Sequence, residues 1–197
     1  MANGIAGSTI VVTGGGSGLG ACTAGKLAER GAHVVLLDID LDAARRTRDE
    51  LAARGLEATP LQADVTDPAS VAAARSAVLA DRGRVDGLVN NAGILIKETL
   101  LDETYEGWQR TLDVNLTGYF LCLQAFGSAM VEAGRGAIVN IASLGGSRPT
   151  IGAGAYCVSK AGVLALTKQA ALEWGPSGVR VNAVSPGFMK TAMTQGR

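Results

Sequence analysis

The sequence predicts an α/β fold built on a doubly wound parallel sheet, three layers deep, with helices on both faces. Two features carry that prediction. Short, continuously apolar runs of strand length alternate with longer helical runs, as parallel strands buried on both faces require. The first of those runs also passes through a glycine cluster straight into a helix, the strand-turn-helix order of Rossmann-like sheets.

The first strand is Thr9-Ile10-Val11-Val12, followed by Thr13-Gly14-Gly15-Gly16-Ser17-Gly18-Leu19-Gly20 and a helix through Ala28. Such a loop brings backbone N–H groups and a helix N-terminus up to a pyrophosphate, which makes Gly14, Ser17, Gly18, Leu19 and Gly20 candidate cofactor contacts. No Gly-Lys-Ser/Thr follows the glycines, so the nucleoside-triphosphate type of loop is excluded. The second strand, His33-Val34-Val35-Leu36-Leu37-Asp38, ends in a carboxylate 18 residues after Gly20. Asp38 there accepts hydrogen bonds from ribose hydroxyls and repels a 2′-phosphate, and Ile39 stands where a basic residue would suit that phosphate. NAD is therefore expected over NADP. Arg45 and Arg46 belong to the next helix, where a solvated charged face is the simpler reading.

That helix runs from Leu41 to Arg54 and is closed by Gly55. Asp64 and Val65 follow the third strand pattern and would flank an adenine, although Asp64 also suits the turn chemistry of a helix entry. Asp67-Pro68 caps a helix from Ala69 to about Arg82, which Gly83 stops. Gly87-Leu88-Val89 is a short buried strand, Thr104 to about Ala133 a long helix, and Ala137-Ile138-Val139-Asn140-Ile141 the fifth strand. A helix from Ala153 to Trp174 and the strand Val179 to Val184 complete the pattern. Gly20, Asp38, Asn90, Ser143 and Pro186 all fall at the strands' carboxyl ends, where such sheets bind ligands.

Tyr156 and Lys160 open the last long helix four residues apart, so they share a face. A free phenol titrates near pH 10 and is a poor general base at neutrality. An ammonium about 4 Å away, at an effective dielectric near 20, contributes about 4 kcal/mol, roughly three pKa units, and brings Tyr156 near pH 7.

Composition agrees with one domain over residues 1–197, since 47% hydrophobic residues can bury one sizeable core. The net charge of zero offers no footprint for nucleic acid. No cationic leader precedes the apolar stretch from Ile5 to Val12 and nothing approaches a membrane-spanning length, so a cytoplasmic protein without membrane contact is expected. Three scattered cysteines, Cys22, Cys122 and Cys157, and the single His33 support neither a disulfide framework nor a metal site. Cys157 and His33 are expected to be structural.

Taken in order, Thr13-Gly14-x-x-x-Gly18-x-Gly20, Asn90-Asn91-Ala92-Gly93, Asn115, Ser143, Tyr156-x-x-x-Lys160 and Pro186-Gly187 resemble the motifs of the short-chain dehydrogenase/reductase family. The resemblance implies hydride transfer between NAD(H) and a secondary alcohol or ketone. It casts Tyr156 as proton carrier, Lys160 as its partner and holder of the nicotinamide ribose, Ser143 as hydrogen-bond donor to the substrate oxygen and Asn115 as the residue positioning a water beside Lys160. Asn91, Ala92, Gly93, Pro186, Gly187 and Thr191 join the cofactor set. A homodimer or homotetramer is implied, paired through the two long helices, and the spread of Val163, Leu164, Leu166, Ala170 and Leu172 is read as wider than the sheet needs. Family members continue past the Pro-Gly motif through a substrate loop, helices and a seventh strand, whereas this chain ends at Arg197. The expectation is a C-terminally truncated domain lacking the final strand and helices, with two alternatives beside the leading reading: a cofactor-binding module without efficient catalysis, or an NADPH-dependent 3-oxoacyl-type reductase.

Overall fold

The computed structural model describes residues 4–189 and 191, so the chain end at Arg197 lies outside the described residues. Its strands are β1 (Thr9–Thr13), β2 (His33–Asp38), β3 (Ala58–Gln62), β4 (Gly87–Asn90), β5 (Gly136–Ile141) and β6 (Val179–Val184). They form one sheet in the order β3-β2-β1-β4-β5-β6, parallel at every pairing. The helices are α1 (Gly18–Ala28), α2 (Leu41–Ala52), α3 (Pro68–Arg82), α4 (Tyr105–Leu112), α5 (Gly118–Glu132) and α6 (Gly154–Trp174).

Alternation along the strands divides the core in two. Val11, Val35 and Leu37 pack with Val71 and Val78 of α3 and Leu123 and Phe126 of α5 on one face. Ile10, Val12, Val34 and Leu36 meet Ala24 and Ala28 of α1 and Ala44 of α2 on the other. With both faces covered, β1 and β2 read as apolar runs, whereas the edge strands β3 and β6 carry polar residues such as Gln62 and Arg180; each fully buried Leu or Phe contributes about 1.5–3 kcal/mol. Local chemistry sets the helix ends: Asp67 accepts from Ala69 N at 2.9 Å, Pro68 occupies the first turn, and Gly83 takes the left-handed conformation at φ 68°.

Two readings of the long helices need correction. The segment expected as one helix from Thr104 to Ala133 is interrupted by a π-helical turn at Asp113–Thr117. Asn115, at the centre of that turn, accepts from Ile94 N at 2.8 Å and donates to Ile94 O at 2.9 Å, so the helix is tied sideways to the loop after β4. Taken through the π turn, Tyr105–Glu132 is long and apolar enough to cross a membrane by length and composition, contrary to expectation. Its Cys122, Leu123, Phe126 and Met130 are core residues here. The apolar spread on α6 reaches past its buried stripe: Val163 and Ala170 are buried, Leu164 and Leu166 partly so, and Leu172 is 74% exposed.

A buried polar chain sets α6 against the sheet. Asn90 Nδ2 donates to Asn140 Oδ1 at 2.9 Å, Asn140 Nδ2 to Thr167 Oγ1 at 2.9 Å, and Thr167 Oγ1 to Val163 O at 2.7 Å. It links β4, β5 and α6, and so fixes where α6 presents its first turns. Asn140→Ala removes the middle member and leaves two buried groups short of a partner. The expected loss is about 2–4 kcal/mol of stability, read by denaturant unfolding; an unchanged midpoint contradicts this role.

Candidate active site

A cleft of about 400 Å³ opens at the carboxyl ends of the strands. It lies where chain connections leave β1 and β4 in opposite directions, the switch point of a doubly wound sheet. The two strand ends are tied across it. Thr13 Oγ1 accepts from Asn91 N at 2.9 Å and Ala92 N at 3.0 Å, while Asn91 Nδ2 donates to Thr13 O at 3.0 Å and Gly14 O at 3.3 Å.

The cleft gathers residues from all six strand ends. Gly14, Ser17, Gly18 and Leu19 line it from the first loop, Asp38 and Ile39 from the second, and Asp64 and Val65 from the third. Asn91, Ala92 and Gly93 follow β4, Ser143 follows β5, and Tyr156 and Lys160 come from α6. Pro186, Gly187 and Thr191 close the remaining side. Two expected site residues are placed elsewhere. Gly20 sits behind the loop, where a Cβ would come 2.0 Å from Gly14 O, so packing requires glycine there. Asn115 is fully buried, and its amide is engaged by Ile94 and by Ser159 Oγ at 3.2 Å. Its side chain is a brace between the β4 loop and α6.

The glycine loop fits a dinucleotide. Gly18 has φ 53°, and a Cβ there would meet nothing nearer than Thr191 at 3.8 Å, so the backbone faces open space. Ser17 caps α1 without a side-chain hydrogen bond. The N–H groups of a helix's first turn have no acceptor within the helix, and they form the donor set that a pyrophosphate takes. Gly16 is held from both sides: its N–H donates to Asp38 Oδ2 at 2.8 Å and its carbonyl accepts from Thr47 Oγ1 at 3.1 Å. Asp38 thus braces the loop as well as facing the cleft, a task the sequence pattern did not reveal. Asp64 shows the turn chemistry anticipated for it, with Oδ1 accepting from Thr66 N at 2.8 Å and Thr66 Oγ1 at 2.7 Å. Ser143 Oγ accepts from Gly145 N at 3.1 Å, which leaves its hydroxyl proton for a ligand.

Lys160 is only 3% exposed. Its Nζ donates to Ile141 O at 2.8 Å and to the Tyr119 hydroxyl at 3.1 Å, and lies 5.8 Å from the centre of the Tyr156 ring. Tyr119 and Ile141 thus anchor the ammonium on its core side, with the Tyr156 ring on its other side. Burial lowers the Lys160 pKa from an ordinary 10.5 to about 7. Arg110 and Ile94 on the cleft wall, and Tyr119 in the core behind Lys160, had no motif to announce them. Cys157 is buried beside the site, and His33 bonds Thr59 Oγ1 at 2.9 Å at the start of β2.

The family model for the short chain dehydrogenase matches residues 8–197. The 2,5-dichloro-2,5-cyclohexadiene-1,4-diol dehydrogenase LinX of Sphingobium indicum is 42% identical over 194 residues, covering 98% of this chain and 78% of that protein. The 3-alpha-(or 20-beta)-hydroxysteroid dehydrogenase of Mycobacterium tuberculosis is 43% identical, covering 98% and 74%. Among solved structures, NAD+-bound xylitol dehydrogenase superimposes with a TM-score of 0.92 at 36% identity, over 95% of this chain and 73% of that one.

The Lys160 environment has a thermodynamic consequence. Between about pH 7 and 10.5 the unfolded chain holds a proton on this amine that the folded one releases, so its contribution to stability rises with pH across that window. Below pH 7 the penalty for the buried charge is complete. Lys160→Met is expected to be more stable than the natural sequence at pH 6 by on the order of 1–4 kcal/mol, with the difference shrinking toward pH 10. Denaturant unfolding at pH 6, 8 and 10 measures it, and a difference that grows with pH refutes the assignment.

Proposed function

The chain belongs to the short-chain dehydrogenase family, whose relatives act on hydroxyl groups, and we propose that it interconverts a secondary alcohol and a ketone with NAD(H). The observation that carries this reading is the convergence of Ser143, Tyr156 and Lys160 on the cleft that also holds the glycine loop and Asp38. NAD, when bound, supplies the hydride acceptor or donor. The N–H groups around Gly14 to Leu19 hold its pyrophosphate, and Asp38 takes the adenosine ribose hydroxyls. Val65, Asn91, Ala92, Gly93, Pro186, Gly187 and Thr191 shape the rest of its bed.

The proton chemistry belongs to the protein. Tyr156 receives the alcohol proton or returns it to the ketone oxygen, while Ser143 donates a hydrogen bond to the same oxygen. The Lys160 ammonium stabilises negative charge developing on the Tyr156 oxygen and binds the nicotinamide ribose. Asn115 contributes by bracing the π turn against α6. Residues 1–197 act as one catalytic domain, and copies associate through α5 and α6, where Phe120 and Leu172 are 46% and 74% exposed. A ring diol and a hydroxysteroid in the relatives' names make secondary ring alcohols the first substrates to assay.

Asp38 favours NAD over NADP through its charge in the cleft, with Ile39 beside it offering no cation. Its second task changes what a substitution does. Asp38→Ala removes the ribose acceptor and also releases Gly16, so NAD binding is expected to weaken about tenfold or more, while NADP is affected far less. Titration of both proteins with both cofactors reads this, and tighter binding of NADP by the natural sequence overturns the preference. Tyr156→Phe removes the proton carrier and leaves the loop intact. Turnover is expected to fall at least about a hundredfold with NAD binding retained; substantial activity in the purified variant contradicts the assignment.

A further inference from the structure

Beyond the residues already given roles, a second phenol lies in the core behind Lys160. Tyr119, at the start of α5, is 1% exposed and packs with Ala142 and Val163. Its hydroxyl donates to Ile141 O at 3.0 Å and accepts from Lys160 Nζ at 3.1 Å. Lys160 Nζ also donates to Ile141 O, so three groups close a ring of hydrogen bonds at the end of β5. We infer that Tyr119 is a positioning residue for Lys160: its hydroxyl holds the amine as an ammonium and aims the remaining N–H into the cleft. The inference rests on the proposed role of Lys160 in the dehydrogenase reaction.

The direction of each bond follows from the count of protons. A phenol has one hydrogen, and Ile141 O, a pure acceptor, receives it. Toward Lys160 the oxygen therefore presents a lone pair, which suits an ammonium with three donors. Two of those donors are taken, by Tyr119 and Ile141, and one is left. A hydrogen bond accepted from the charged form favours that form. Burial raises the Tyr119 pKa well above the ordinary 10, so the group stays a neutral phenol.

Tyr119 does not act as a proton carrier, because its only hydrogen points to a backbone carbonyl in the core. Nor is the contact a ring-face one. The ammonium is 4.7 Å from the ring centre but 3.1 Å from the hydroxyl, so the oxygen is what it meets. The titratable groups facing Lys160 are Tyr119 from α5 and Tyr156 from its own helix; Ile141 O, from β5, does not titrate. Without the Tyr119 hydroxyl, burial is opposed by one acceptor fewer, and the amine loses its proton at lower pH.

Tyr119→Phe keeps the ring and removes only the oxygen. In protein labelled with 13C at the lysine ε-carbon, the Lys160 resonance, identified by its loss in Lys160→Met, reports the titration directly. The midpoint is expected to move down by about one pH unit, and the alkaline limb of kcat/KM for a secondary alcohol is expected to move down with it. Incorporating 2,3-difluorotyrosine at position 119 weakens the acceptor without changing its shape, and should move the midpoint the same way by less; it replaces the Phe variant if that one does not fold. An unmoved midpoint in the folded variants overturns the positioning role. A moved midpoint in a protein whose natural sequence turns over no secondary alcohol instead sinks the dehydrogenase reading and leaves the Tyr119–Lys160 coupling standing.

Discussion

Everything at this site depends on the clamp between the ends of β1 and β4. In a doubly wound sheet those two strands send their chains to opposite faces, and the gap between them is a crevice without side chains of its own to fill it. Left alone, two diverging loops there would be poorly placed. Thr13 prevents that by accepting two backbone N–H groups at one oxygen, and Asn91 answers with its amide on Thr13 O and Gly14 O. The glycine loop is then fixed relative to the wall on which Tyr156 and Lys160 stand.

The next constraint is steric. Gly20 lets α1 lie against the carbonyl of Gly14, and Gly118 lets α5 approach Val65, whose Cγ2 would be 2.9 Å from an added Cβ. At α1 the close approach brings a helix N-terminus to the cleft edge, where its unpaired N–H groups are useful. On the opposite side the Asn90–Asn140–Thr167 chain sets the height of α6. Packing and buried polar bonds thus determine the positions, and the chemically active groups occupy the positions so determined.

Much of this was legible in the sequence because it is local. The apolar runs marked the central strands, where both faces of the sheet are buried, and Asp67-Pro68 with Gly83 marked both ends of α3, whereas β3 at the sheet edge, with Thr59, Pro60 and Gln62, had no such run to bound it. The glycine loop, Asp38, Ser143, Tyr156 and Lys160 were legible as motif residues, and the structure brings them to one cleft. What escaped were pairings between distant segments. The π turn at Asp113–Thr117 coincides with the Asn115 bonds to Ile94, 21 residues away in the chain, and no helical periodicity encodes such a tie. Asp38 looked like a ribose ligand alone because Gly16, 22 residues earlier, gives no sign of needing an acceptor. Tyr119 looked like any large residue on a buried helix face, and its hydroxyl acquires meaning only when β5 and α6 are set beside it.

The hydrogen-bond partners of Lys160 clarify why its environment takes this form. A carboxylate beside the amine would hold the charge firmly, but it would also cancel most of the field that the amine projects into the cleft. The Tyr119 hydroxyl and Ile141 O are neutral, so they orient the ammonium while leaving its charge uncompensated. The consequence is an amine that titrates near neutrality, with a pKa of about 7, and a fold that is less stable for containing it. Such a penalty is tolerable only if the rest of the floor is well packed. Tyr119 meets both requirements at once, with a ring that packs with Ala142 and Val163 and an oxygen that reaches the Lys160 ammonium buried beside it.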